Sequence, residues 1–442
     1  MSHGQRTADS GQRTTDDGQR TAFLETAYDE LAAWCRARGY AGHDPFDGLN
    51  SRLFQATPLA RSRLARLAWT QLFKRSPVNL RALARVPPGR NAKGTALFAL
   101  AALARFRTLG TAETEAEARS LLDDLLAARL EGWSGAAWGY NFDWQSRTFF
   151  APRGTPTVVP TAFAARAFLE AAQTFGEPRH LEVARSACDF ILGDLPRVGD
   201  AGDEERGARE GAWGGGAGVC FGYIPQRRTR IFNASLLAAE TLSAVGRLTG
   251  ERGLCEWAVR AARFVARRQR ADGAWTYGAE PNQSWVDNFH TAFVLLSLRR
   301  VIADCAAVGA LPRADGRDLT RALTRGYEFW RSRFFLADGC PKYYDDALYP
   351  ADIHSAAAAI VALAELREVD SGALALAEGI ARWTTRHLRD RRGFFYYQRR
   401  RFYTVRTPHM RWGQAWMLYA LARLLEAAGA RREPSDVGRG SA

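Results

Sequence analysis

The chain has 442 residues, of which 47% are hydrophobic and 24% charged, a balance ordinary for a protein that buries a sizeable core. Its formal charge of +14 suggests a nucleic-acid partner, but no nucleic-acid-binding signature accompanies it. Only Lys74, Lys93 and Lys342 are lysines; nearly all the positive charge is arginine beside abundant alanine, as GC-rich coding would give. No apolar run is long enough to cross a bilayer, and no basic-then-apolar leader opens the chain. No membrane insertion and a cytoplasmic location are therefore expected. The six cysteines (35, 188, 220, 255, 305 and 340) stand singly, which argues for reduced, buried thiols over disulfides or a zinc cluster.

The chain begins with Gly-Gln-Arg-Thr repeated at residues 4, 11 and 18. The repeat has no apolar seam, so residues 1–22 are expected to be a disordered tail. Residues 430–442 read the same way, leaving 23–429 as one domain. Within it, six small-residue-rich apolar helices begin near Gly94, Pro160, Asn233, Asn288, Asp352 and Arg411. Each is preceded by a more charged, amphipathic helix, beginning near Leu59, Ala112, Pro178, Glu251, Asp315 and Ser371. The first set must be buried on all sides and the second needs one wet face. An inner ring inside an outer ring satisfies both, so the fold expected is an all-α (α/α)6 toroid, a six-hairpin barrel. A helical solenoid is the alternative. Short aromatic runs such as Phe394 to Tyr397 are expected in loops or small hairpins.

Residues that are neither core nor ordinary surface precede the inner helices. In such a ring all six inner N-termini share one end, which becomes a funnel of aromatic faces and polar groups. Indole and phenol rings suit sugars, which offer both C–H faces and hydroxyls. Helix N-termini add free N–H groups and partial positive charge, favouring an anionic group such as a uronate carboxylate. The same field disfavours protonated histidine, leaving His290 and His354 as neutral bases. One mechanism is proton abstraction from a sugar carbon beside a carboxylate or carbonyl. In it Asn288 or Arg411 neutralises the acid, a histidine takes the proton and Tyr344 returns one. The expected substrate-binding set is Tyr140, Asp143, Trp144, Tyr223, Asn233, Trp285, Asp287, Tyr343, Asp345, Asp352, Arg411 and Trp412. A second mechanism is inverting hydrolysis by two carboxylates, Asp143 with Asp287 or Asp352. Plainer roles are also open: Asp287 and Asp352 as helix caps, the histidines as structural, and Arg411 stacked on Trp412. Asp44 and Asp47 read as turn formers. No metal or cofactor is expected.

DPFDGLNS (44–51), GYNFDWQ (139–145), WVDNFHT (285–291), PKYY (341–344), DIHSAA (352–357) and MRWGQAW (410–416) resemble the VpsJ-type polysaccharide-biosynthesis proteins. The likeness runs in order over roughly residues 40 to 425. It implies a toroid of the six-hairpin glycosidase or terpenoid-cyclase type, a role in making or trimming exopolysaccharide, and polysaccharide-assembly proteins as partners. It supplies no mechanism. The run from Gln269 to Trp275 is similar to the QxxxGxW pattern of triterpene cyclases, a helix staple, but the acidic motifs of those enzymes are absent. Residues 199–218, Gly-rich and charged, read as a loop insertion or a flap over the pocket. The rival to an enzyme is a protein that holds a glycan without changing it.

Overall fold

The computed structural model describes residues 21–200 and 217–429. The terminal Gly-Gln-Arg-Thr repeats, the C-terminal tail and most of the expected flap lie outside the described residues.

The alternation of apolar and amphipathic segments becomes two concentric rings. The inner helices are α4 (Ala92–Leu109), α6 (Val158–Phe175), α8 (Phe232–Thr249), α10 (Asn288–Ala307), α12 (Ile353–Glu365) and α14 (Trp416–Gly429). Each packs on the next, and α14 packs on α4, so the ring closes instead of running on as a solenoid. Alanine and leucine on all faces of these helices let neighbours approach from both sides; α12 is buried from Ile353 to Ala364. Glycines in the left-handed conformation (Gly110, Gly176, Gly250) stop α4, α6 and α8, as a residue without Cβ allows. α14 is entered through a π-helical turn, Met410–Ala415.

Five outer helices each pack on the inner helix before them: α5 (Ala112–Ala127), α7 (Pro178–Gly193), α9 (Arg252–Ala266), α11 (Arg313–Arg333) and α13 (Ala373–Leu388). The sixth outer place is filled by α1 (residues 21–36), whose Leu24, Tyr28, Leu31 and Cys35 are buried in the core. A repeated turn fixes this position. After α9, α11 and α13 the chain turns at Gly273, Gly339 and Gly393, with φ of +93°, +88° and +93°. An added Cβ there would fall 2.5, 2.6 and 2.7 Å from the carbonyl oxygens of Arg325, Gly379 and Glu30. Those carbonyls belong to α11, α13 and α1, so α1 follows α13 around the ring. Gln269 and Trp275, the expected staple, act in the first of these turns: Gln269 donates to Ala322 O at 2.8 Å and Trp275 to Val265 O at 3.0 Å.

The helix expected near Leu59 is therefore not an outer member. Residues 44–86 form α2 (Arg52–Gln55), α3 (Arg63–Arg75) and two short 3-10 turns. They carry a small apolar cluster of their own, Phe73, Ala84 and Val86. The paired strands are short: β1 (Trp144–Gln145) with β2 (Phe150–Ala151), β3 (Arg197–Gly199) with β4 (Val219–Phe221), and β5 (Ala351–Asp352), β6 (Gln398–Arg399), β7 (Thr404–Val405) in order. The last hairpin begins at Gln398, just after the Phe394–Tyr397 run.

Halfway down the ring, away from the inner N-termini, charges tie the inner helices together. Glu240 of α8 meets Arg166 of α6 at 2.7 Å and Arg300 of α10 at 2.6 Å, and Arg300 also meets Glu365 of α12 at 2.6 Å. No described helix is long and apolar enough to cross a membrane.

Candidate active site

The first turns of five inner helices and the π-helical turn that leads into α14 contribute to one cavity: Lys93, Val159, Asn233, His290, His354, and Arg411 with Trp412. Its volume is about 320 Å³. Loops between the helices add Tyr140, Trp144, Tyr223, Tyr277, Trp285, Tyr343 and Tyr344, and α3 covers the mouth with Leu67, Thr70, Lys74 and Arg75.

His290 is oriented by Asp287, the N-cap of α10. The two Asp287 oxygens accept from the His290 main-chain N–H at 3.0 Å and meet the imidazole Nδ1 at 2.7 Å. A carboxylate only accepts, so Nδ1 carries a hydrogen, and in the neutral imidazole the lone pair is on Nε2. Trp285 Nε1 donates to the same carboxylate at 3.0 Å and stacks on Tyr277 at 4.5 Å. His354 is 1% exposed and lies among Phe289, Trp412 and Trp416, with ring centroids 4.2–4.9 Å away. Burial, then Lys93, Arg411 and His290, holds its pKa well below the usual histidine range. It is a neutral base at physiological pH. Tyr344 is held above its ordinary 10.0, first by burial and then by Asp287, so it keeps its proton.

Arg411 reaches the cavity from the π-helical turn. Asp44 holds it through two hydrogen bonds of 2.7 and 2.9 Å, with both groups buried. Asp47 likewise holds Arg81 at 2.7 Å. The two aspartates of DPFDG are thus more than turn formers: they are buried counter-ions. Tyr140 and Tyr223 share a hydrogen bond of 3.0 Å. Asn233 presents an Oδ1 without a partner among the described residues.

Five expected site residues do not line the cavity. Asn288 is fully buried, accepting from Trp330 Nε1 and donating to Lys342 O, both at 2.9 Å; it cannot neutralise a substrate acid. Asp143 accepts from the Arg153 main chain at 2.8 Å. Asp345 lies outside the wall. Asp287 stands behind His290. Asp352 caps α12 and is buried, bonded to Gln398 at 2.6 Å and to Trp412 at 3.2 Å. Burial raises its pKa from 3.8 to about 6, opposed first by the Gln398 hydrogen bond. Trp138 and Trp275, which also lie in the loops before inner helices, are core plugs bonded to helix carbonyls.

The wall also contains basic residues that the inner-helix pattern did not reveal: Lys74, Arg75, Lys93, Arg147 and Arg400. With Arg411 they make six basic side chains, and no Asp or Glu is among the described lining residues. A sequence signal existed, since two of only three lysines lie here. Arg400 belongs to an arginine run that reads as solvated loop. Among the described residues no three His, Cys, Asp or Glu side chains converge as metal ligands.

Neither a family model nor a curated protein sequence matches this chain. Solved structures do. A sugar epimerase from a ruminal bacterium aligns with a TM-score of 0.57 and 13% identity, over 78% of this chain and 88% of its own. Cellobiose 2-epimerase from Bacillus thermoamylovorans gives 0.54 and 14%, over 77% and 88%. The unsaturated glucuronyl hydrolase of Bacillus sp. GL1 gives 0.53 and 13%, over 92% and 96%. At these identities the likeness establishes the fold, a six-hairpin (α/α)6 toroid.

Proposed function

We propose that the toroid holds an acidic sugar or glycan end and moves a proton at one of its carbons, as an epimerase or a lyase. The observation that carries this reading is the cavity wall: the basic side chains of Lys74, Arg75, Arg147, Arg400 and Arg411, no carboxylate among the described lining residues, and a histidine held by an aspartate behind it. A carboxylate ligand gains from such a wall and a neutral one does not. Asn233 Oδ1 accepts a sugar hydroxyl, and the lining tyrosine and tryptophan side chains offer apolar contact to its C–H groups.

In the reaction His290 Nε2 takes the proton from the carbon beside the carbonyl or carboxylate. The electron pair moves onto that group's oxygen, which faces the arginines of the wall. Tyr344 returns a proton: to the same carbon on its other face for epimerisation, or to the departing oxygen for elimination. The relatives in fold described as a sugar epimerase and a cellobiose 2-epimerase support a sugar substrate. The VpsJ-type motifs support a place in exopolysaccharide metabolism, with assembly proteins as partners. Inverting hydrolysis loses support, because Asp143, Asp287 and Asp352 are all turned to hydrogen bonds within the protein. The test is incubation in D₂O with uronate oligosaccharides and sugar nucleotides, read by mass spectrometry. Deuterium at carbon that vanishes in His290→Ala supports the scheme. Intact, bound and unlabelled substrates would instead make this a glycan-holding protein.

A further inference from the structure

Lys93 has no task in the scheme above, yet it occupies a prominent place in the cavity. It sits in the first turn of α4, lines the cavity, and is 3% exposed. Its Nζ stands 4.5, 5.4 and 5.2 Å from the ring centroids of Phe163, Phe293 and Trp416. Among the described residues no carboxylate, carbonyl or hydroxyl pairs with it. Lys342, by contrast, donates to Asp345 O. His354 packs on two of these three rings, at 6.0 Å from Phe293 and 4.9 Å from Trp416.

A buried ammonium without a counter-ion is costly, and the group avoids that cost by losing its proton. Desolvation, then the neighbouring Arg411, holds the Lys93 pKa well below 10.5, with Asp44 opposing. An arginine could not shed its charge in this way. In a chain whose basic residues are almost all arginine, this position carries a lysine. A desolvated amine beside a fixed cation is the usual form of an activated amine nucleophile.

We propose that Lys93 is a catalytic amine whose Nζ condenses with the free carbonyl of an open-chain reducing sugar acid. This rests on the proton-transfer reading and narrows its substrate to one with an aldehyde or ketone. The nitrogen lone pair adds to the carbonyl carbon, both amine hydrogens leave with the carbonyl oxygen as water, and C=N replaces C=O. Once protonated, the imine draws electrons from the adjacent carbon. His290 takes that carbon's proton, and the C–H pair becomes the C=C bond of an enamine. Return of a proton to carbon and uptake of one water release the sugar and the amine. No oxidant or reductant is consumed.

The test traps the imine on the wild-type full chain. D-Glucuronate or D-galacturonate is added with sodium cyanoborohydride near neutral pH, with D-gluconate as the carbonyl-free control. Trypsin then leaves residues 91–105 uncut at Lys93, heavier by the reduced sugar. The expected result is label on Lys93 ahead of Lys74 and Lys342, none from gluconate, and none in Lys93→Met. Label spread evenly over the lysines, or absent from Lys93, overturns the proposal. Deuterium uptake retained in Lys93→Met also overturns it, while leaving the histidine scheme standing. Trapping at Lys93 without uptake at carbon in the wild type keeps the amine and removes the histidine scheme.

Discussion

Asp287 grips His290 twice, through the main-chain N–H at 3.0 Å and the ring Nδ1 at 2.7 Å. One residue thereby starts the helix and selects the imidazole tautomer. The i, i+3 spacing makes both contacts possible, because the first helical turn brings the ring back over its own cap. Asp287→Asn keeps a capping oxygen but lets an amide N–H face Nδ1. The expected loss in kcat is on the order of 10²–10⁴-fold, with KM little changed. Steady-state kinetics beside a circular dichroism spectrum checks this; an unchanged kcat would reduce Asp287 to a cap.

The Asp44–Arg411 pair joins two segments far apart in sequence, and both groups are buried. Asp44→Asn leaves the guanidinium without its counter-charge, which costs about 3–5 kcal/mol in comparable buried pairs. A lower urea midpoint at unchanged slope is the expected observation. A loss under 1 kcal/mol would mean that the site rearranges around Arg411.

Asp352 carries a pH signature. Its pKa rises from 3.8 to about 6 on folding, chiefly by burial, so between those values the folded chain binds the extra proton. Stability from this group is therefore present at low pH and lost as pH climbs through 6, a swing of roughly 3 kcal/mol. Asp352→Asn removes the swing. Denaturation of both proteins at a series of pH values should give a difference that changes between pH ~4 and ~6 and is flat above; a constant difference sinks the assignment.

Lys74 is held at about 8 by burial, with Asp352 and Asp44 raising it and Arg400 and Arg75 lowering it. Its charge disappears as pH rises through that value. Affinity for an acidic sugar should fall several-fold across the transition, while Lys74→Met binds more weakly and without the step. Calorimetric titration at several pH values measures this, and a wild type without the step contradicts it.

Gly393 places its missing Cβ 2.7 Å from Glu30 O at φ +93°. Gly393→Ala must move α1 or the turn, at a cost of about 1–3 kcal/mol. A Tm unchanged from wild type would show that the outer ring yields freely there.

The ring was legible in the sequence because burial on all faces and burial on one face leave different residue patterns. Near Asn288 and Asp352 a polar cap directly precedes an unbroken apolar run, and the helices begin at Asn288 and Ile353. The gathering of Tyr140, Tyr223, His290, His354 and Arg411 in one cavity also followed, since six inner N-termini share one end. What local pattern could not show was which segment fills the last outer place. The distinction between residues 21–36 and the helix near Leu59 is tertiary. The first bury Leu24, Tyr28, Leu31 and Cys35 in the main core and meet Gly393 at Glu30, while the second packs on a cluster of its own. Nor could it show whether an aspartate faces a substrate or its own helix. Asp143, Asp287 and Asp352 look alike in sequence; Asp287 is taken by its own neighbours Trp285 and His290, whereas Gln398 and Trp412, which hold Asp352, arrive only in the tertiary fold. The charge of the cavity was decided in the same way. Lys74 and Arg75 reach it only because the 44–86 excursion folds over the mouth, and Lys93 becomes a buried amine only because Phe163, Phe293 and Trp416 arrive from three other helices.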